Sequence, residues 1–134
     1  MKNQKSKIRN QKGFSLLELM IVLFVIVILA SIAIPQYQKT IQHARETVLQ
    51  DNLHQMRRMV SQYAADKGKL PQSLDDLVTA GYIQEIPIDP MTDQKDWVTE
   101  TGEDPNLTKG EQGIIKISRA SEDTSLDGKP YSEF

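Results

Sequence analysis

Phe14-Ser15-Leu16-Leu17-Glu18-Leu19-Met20-Ile21-Val22-Leu23-Phe24-Val25-Ile26-Val27-Ile28-Leu29-Ala30-Ser31-Ile32-Ala33-Ile34 decides the fold of this chain. Eighteen of these 21 residues are apolar, and only Ser15, Glu18 and Ser31 are not. A helix rises about 1.5 Å per residue, so about 20 apolar residues cross a hydrocarbon core of about 30 Å. The stretch meets that length. The residues before it carry five basic groups (Lys2, Lys5, Lys7, Arg9, Lys12) and no acid. The positive-inside rule keeps that leader cytoplasmic and puts residues 36–134 on the far side. Hydropathy alone reads the segment as a plain N-terminal anchor. A cleaved secretory signal is a second reading, with Ser31-Ile32-Ala33 as its small-residue site. Against it, Glu18 lies at the start of the apolar run, and the run continues past Ala33 into a patterned helix.

The rest of the composition bounds the function. At 134 residues the chain allows one small domain beyond the apolar segment, which excludes a multidomain enzyme. The absence of cysteine excludes a disulfide framework, a thiolate metal site and a thiol nucleophile. Residues 36–134 hold 11 basic and 17 acidic groups. Nucleic-acid surfaces need clustered positive charge to displace counterions, so no nucleic-acid partner is expected.

Glu18 is the costly residue. An acid at mid-bilayer costs about 2.5–3.5 kcal/mol on insertion scales, less near the cytoplasmic end. Lys12, the nearest cation, lies on the other side of Gly13. A cut between Gly13 and Phe14 creates an α-ammonium four residues before Glu18. Opposite unit charges 4 Å apart attract by about 1 kcal/mol in water and about 4 kcal/mol at an effective dielectric near 20. Such a pair, within one chain or between neighbours, fixes the axial offset of adjacent helices, as a polar core residue fixes coiled-coil register.

Lys12-Gly13-Phe14-Ser15-Leu16-Leu17-Glu18-Leu19-Met20-Ile21-Val22 resembles the cleavage and assembly motif of type IV pilins and type II secretion pseudopilins. The resemblance implies that a prepilin peptidase cuts after Gly13, that Phe14 is N-methylated, and that Glu18 guides subunit docking. Ile34-Pro35 fits the same pattern. Residues 8–40 carry most of the likeness. Leu70-Pro71, Leu74 to Leu77, Gly81-Tyr82-Ile83 and Ile86-Pro87-Ile88-Asp89-Pro90 resemble the major pseudopilin, the G subunit, more weakly. The family implies a short helix, a proline-bounded turn and a small antiparallel sheet. It also implies an aspartate- and glycine-rich calcium loop after a tryptophan-glycine stretch. This chain departs there. Met91-Thr92-Asp93 follows the turn, Trp97 comes later, and the tail from Ser118 to Gly128 has acids but fewer glycines. No cofactor is assigned. Calcium is the one ion considered, with Asp123 and Asp127 as weak candidate ligands. Asp123, Ser125 and Asp127 alternate before Gly128, but no glutamate follows at the distance a calcium loop uses.

Beyond Pro35, where a kink or local unwinding is expected, apolar residues recur at helical spacing. They are Tyr37, Ile41, Ala44, Val48, Leu49, Leu53, Met56, Val60, Tyr63 and Ala64. The opposite face carries Gln38, Lys39, Arg45, Glu46, Gln50, Arg57 and Gln62. Gly68 and Pro71 end the helix. Ser73 opens a short second helix that ends near Gly81. Strands are expected at about Asp96–Thr101 and Gly113–Arg119, with residues 102–112 as a loop and Tyr131 and Phe134 packing back on the sheet. Trp97 and Tyr82 read as core. The segments are therefore a leader at 1–13, a transmembrane and assembly helix at 14–34, an amphipathic helix at 35–69 and a small α+β region at 70–134. The fold class is α+β and pilin-like: a long N-terminal helix, transmembrane in its first half, packed on a small antiparallel sheet.

Charge divides unevenly. Residues 36–69 hold six basic and three acidic groups, and residues 85–134 hold five and twelve. A solvated surface explains this. The sharper reading is that the acidic lobe of one subunit meets the basic helix face of another.

Nothing in the sequence supports catalysis. His43 and His54 share a helix face but stand about 16 Å apart, too far to share a metal or a proton. No nucleophile elbow, zinc helix or P-loop string is present. Asp75-Asp76 reads as helix capping. No catalytic residue is expected, and an ATPase elsewhere must drive any cycle. The resemblance implies a structural subunit of a type II secretion pseudopilus, single-pass in a bacterial inner membrane. Its leader is cytoplasmic and its C-terminal domain periplasmic until it is extracted into a periplasmic filament. The implied partners are its own copies in a helical homo-oligomer, minor pseudopilins, the prepilin peptidase, and the assembly platform with its ATPase. The main subunit of a type IV pilus is the alternative, and a membrane-anchored periplasmic enzyme the rival class. Many pilins staple their C-terminal region with a disulfide, so the lack of cysteine favours the pseudopilin.

Overall fold

A computed structural model describes residues 12–107 and 111–134. The elements run α1 (Leu16–Lys67), α2 (Leu74–Thr79), β1 (Trp97–Glu103) and β2 (Gln112–Arg119), then a 3-10 turn at Tyr131–Glu133. Two compact units divide the chain, Met1–Gln38 and Lys39–Phe134.

In the first unit the side chains from Phe14 to Ile34 are almost all exposed. The helix is apolar around its whole circumference, which suits burial in lipid or among other helices. Helical structure continues through Pro35, so the expected local unwinding is not seen. Proline removes one backbone donor, and the ladder on either side carries the helix past the gap. Ser31 donates its hydroxyl to the Ile28 carbonyl at 2.6 Å.

In the second unit the core forms between one face of α1 and the segments after it. Leu49, Leu53, Met56, Val60, Tyr63 and Ala64 of α1 are buried against Leu74 and Leu77 of α2, Ile83, Ile114 and Ile117 of β2, and Tyr131. Burying a large apolar side chain contributes about 1.5–3 kcal/mol, so this cluster is what holds α1 to the sheet. Trp97, Tyr82 and Phe134 pack against it half-buried, as expected for core residues. Tyr63 and Tyr82 meet edge to face at 5.4 Å, as do Tyr131 and Phe134 at 5.3 Å.

Two expectations about the α1 stripe change. Ile41, Ala44 and Val48 of the second unit are exposed, because the buried face begins at Glu46 and Leu49. Glu46 and Arg57, placed on the polar face by sequence, turn inward. Glu46 is buried and Arg57 half-buried. Polar partners from the C-terminal segment meet both, at Glu46 Oε1 and at the two terminal nitrogens of Arg57.

α1 stops where Gly68 takes φ +69, a left-handed conformation that a Cβ disfavours. Its N–H closes on the Ala64 carbonyl at 2.9 Å. Ser73 caps α2, and Asp76 accepts from the Ser73 N–H at 3.2 Å and the Gln72 N–H at 2.8 Å. β1 and β2 pair antiparallel from Trp97↔Arg119 to Glu103↔Gln112, with an irregularity between Glu100 and Thr101. Both strands fall where β-branched residues placed them, and β1 runs two residues further than expected. Gly113 lies tight against the Leu70 side chain and the Pro71 carbonyl, to which the Ile114 N–H donates at 2.8 Å.

Candidate functional site

Residues 12–15 precede the first helical turn, so the Gly13–Phe14 bond lies outside the helix. Among the described residues, nothing comes within 4 Å of where a Gly13 Cβ would sit. Phe14 is exposed. α1 is opened by Ser15: its hydroxyl accepts from the Glu18 N–H at 3.1 Å, and its carbonyl from the Leu19 N–H at 3.1 Å. Sequence reasoning passed over Ser15, although serine three residues before glutamate is half of a capping box and was the available signal. Glu18 thus stands in the first turn of α1, where the helix dipole stabilises a carboxylate by about 0.3–1 kcal/mol. The carboxylate is exposed, and none of the ion pairs among the described residues involves it. An α-ammonium on Phe14 would sit at the positive end of that dipole, with Glu18 as the nearest described acid in sequence. Past it, α1 supplies a window long and apolar enough to cross a membrane, with none of it buried within the chain.

The C-terminal segment is tied to α1 by polar anchors. Glu46 Oε1 accepts from the Tyr131 hydroxyl at 2.8 Å, the Leu126 N–H at 3.0 Å and the Gln42 amide at 3.2 Å. Burial raises the Tyr131 phenol above its ordinary value, and the bond to the Glu46 carboxylate raises it further, while Gln42 and Arg119 pull it back. Arg57 donates to the carbonyls of Phe134 at 2.5 Å and Ile117 at 2.8 Å. Arg119 pairs with Asp89 through Nε and Oδ2 at 2.5 Å, and both are buried. Asp89 Oδ1 also accepts from the Met91 N–H at 2.7 Å, closing the turn after Pro90. The Arg119 guanidinium lies over the Tyr131 ring, 5.2 Å from its centre, and its Nη1 has no hydrogen-bond partner among the described residues. Tyr82 donates to Asp66 at 2.8 Å, and that bond holds its phenol above the usual range.

Among the described residues no three histidine, aspartate or glutamate side chains gather in a way that would hold a metal ion. Asp123 takes a hydrogen bond from the Ser121 hydroxyl at 2.7 Å, and its carbonyl is used by the Tyr131 N–H. Calcium takes six to eight oxygen ligands. Asp123 and Asp127 alone do not supply such a shell. His43 and His54 are both exposed on α1.

A family model described as the prokaryotic N-terminal methylation motif matches residues 8–34. The fimbrial protein EcpC of Eikenella corrodens is 32% identical over 108 residues, covering 77% of this chain and 70% of that protein. The chain belongs to the type IV pilin-like family. The competence protein ComGC of Halalkalibacterium halodurans is 34% identical over 80 residues, covering 60% of this chain and 78% of that protein. The type II secretion system core protein G of Pseudomonas aeruginosa is 29% identical over 98 residues, covering 61% and 69%. No solved structure matches. The α+β arrangement, a long apolar N-terminal helix with a two-stranded antiparallel sheet, is the pilin-like one. The family is one of structural subunits, pseudopilins and fimbrial proteins, rather than enzymes.

Proposed function

We propose that this chain is the major structural subunit of a type II secretion pseudopilus. A prepilin peptidase removes residues 1–13 and Phe14 is methylated. The mature chain waits in the inner membrane on residues 14–34, with residues 35–134 in the periplasm. A platform and its cytoplasmic ATPase then draw it into a short periplasmic filament with minor pseudopilins. The observation that carries this reading is the join at residues 13–18: a non-helical Gly13–Phe14 bond, a capped helix start, and Glu18 opening a segment with nothing of its own to bury against. Apolar helices that leave lipid for one another gain little hydrophobic energy. Register must therefore come from packing and from charge, which is the work assigned to the Phe14 amine and Glu18. The secretion role is supported by the alignment with protein G, which spans more residues than α1 contains.

The fimbrial reading has its own support, because EcpC aligns with 77% of the chain. Deleting the gene in its host separates the two. Loss of protein export with surface fibres unchanged supports the secretion role. Loss of surface fibres with export unchanged supports the pilus subunit and contradicts the pseudopilus.

A further inference from the structure

The hydrogen bonds at the start of α1 set a boundary between the Gly13–Phe14 bond and the helix. Each helical N–H bonds the carbonyl four residues before it. In a helix one residue longer at its start, the Glu18 N–H would bond the Phe14 carbonyl. In a helix two residues longer, the Leu17 N–H would bond the Gly13 carbonyl. Here the Glu18 N–H donates to the Ser15 hydroxyl at 3.1 Å, and the Leu19 N–H donates to the Ser15 carbonyl at 3.1 Å. Ser15 is therefore the N-cap. Its carbonyl takes a first helical bond, and its side chain takes the donor that would otherwise wind Phe14 into the helix. Leu16, Leu17, Glu18, Leu19 and Met20 are all strong helix formers, so they do not set this start themselves. Gly13 reinforces the stop, because glycine loses more backbone freedom in a helix than any other residue.

We infer that Ser15 is a positioning residue for maturation: its hydroxyl keeps the Gly13–Phe14 bond out of α1, where a peptidase can reach it. The inference rests on the cleavage reading above and names the residue that presents the bond. Hydrolysis adds one water across it. The water oxygen bonds the Gly13 carbonyl carbon, the carbon–nitrogen bond breaks, and both water protons end on the Phe14 nitrogen. The products are a Gly13 carboxylate and a Phe14 ammonium. Wound into a helix, the Gly13 carbonyl would be engaged by the Leu17 N–H and packed under the next turn. Outside the helix that carbonyl is free to be attacked. The setting sharpens the effect, since water does not satisfy a spare N–H inside the hydrocarbon region. Without the hydroxyl, the Glu18 N–H near that boundary is best satisfied by the Phe14 carbonyl, which draws residue 14 into α1. Alanine in place of Ser15 pushes the same way, because it is the strongest helix former.

The test uses the full chain in detergent micelles with a prepilin peptidase, and follows the loss of residues 1–13 by mass. Ser15→Ala is expected to lower kcat/KM for cleavage by about two- to thirtyfold, the shift in a helix end that loss of a serine cap produces. Ser15→Asn caps as well as serine but has no hydroxyl, and is expected to stay within about twofold of the unsubstituted chain. Carbon-13 labels on the Gly13 and Phe14 carbonyls report the backbone without the peptidase. Their shifts are expected to move toward helical values in Ser15→Ala and to stay in place in Ser15→Asn. Ser15→Ala cleaved at the unsubstituted rate would overturn the inference, as would labels that do not move in that variant. Ser15→Asn as slow as Ser15→Ala would overturn it too, because the peptidase would then be reading the hydroxyl itself. If the unsubstituted chain is not cut after Gly13, the maturation reading falls and takes this role with it. If all three chains are cut equally fast, that reading stands and only the role of Ser15 falls.

Discussion

Replacing Asp89 with asparagine removes one charge from the buried pair while keeping the side chain's shape. Asp89 is fully buried and Arg119 is 6% exposed, so neither charge has water to fall back on. Breaking a buried pair by neutralising one partner costs about 3–5 kcal/mol, because the remaining charge stays desolvated. The geometry adds to this. The two Asp89 oxygens accept from Arg119 Nε and from the Met91 N–H, and an amide can offer an oxygen to only one of them. The expected loss is about 3–5 kcal/mol, a large part of the 5–15 kcal/mol typical of a native fold. Trp97 is the natural probe. It is the only tryptophan, it is half-buried, and its indole N–H donates to the Pro87 carbonyl at 2.7 Å, two residues before Asp89. Urea unfolding of the full chain in mild detergent, followed by Trp97 emission, gives the free energy. The double variant D89L/R119M removes both charges and is expected to recover about 2 kcal/mol or more over D89N. A D89N loss below about 1 kcal/mol would refute the claim that this pair is desolvated and holds the turn to β2.

Tyr131→Phe deletes the hydroxyl that donates to the Glu46 carboxylate, at an expected cost of about 1.5–3 kcal/mol by the same unfolding assay. The raised phenol also gives a pH dependence. Above pH 10 the unfolded phenol loses its proton while the folded one keeps it, so stability present below that pH falls as pH rises through the folded value; Tyr131→Phe should flatten this alkaline decline, leaving the Tyr82 share. Gly113→Ala would drive a Cβ into the Leu70 side chain and to 2.8 Å from the Pro71 carbonyl oxygen, and a loss of at least about 1–3 kcal/mol is expected from thermal unfolding. Glu18→Ala is expected to leave cleavage after Gly13 intact on immunoblots and to abolish filaments by electron microscopy; filaments of normal number and length would remove Glu18 from assembly.

Much of this architecture was legible because periodicity reports burial directly. Leu49, Leu53, Met56 and Val60 recur at spacings of four, three and four, and all four are in the core. Ile114, Ile115 and Ile117 marked β2 by their β-branched type rather than by period, and Gly68 marked the end of α1. The sequence reading failed where residue type and position disagreed. Glu46 lies three residues before Leu49, in phase with the stripe, but a carboxylate at that phase reads as solvated until a partner is known. Its partners, Leu126 and Tyr131, come 80 and 85 residues later, and no local pattern encodes such a pairing. Arg119 and Asp89, 30 residues apart, were hidden for the same reason. At the N-terminus the apolar run, Gly13, Phe14 and Glu18 were all visible in order. Ser15 was overlooked because its capping role depends on where the helix starts.

The central claim is that the working subunit begins at Phe14, with a new amine beside the start of α1 and Glu18 in its first turn. Intact-mass analysis and N-terminal sequencing of the chain recovered from assembled filaments test this most directly. A mature protein starting at a methylated Phe14, with residues 1–13 absent, is the expected result. Filaments built from chains that still begin at Met1, or that begin at Ile34, would contradict it.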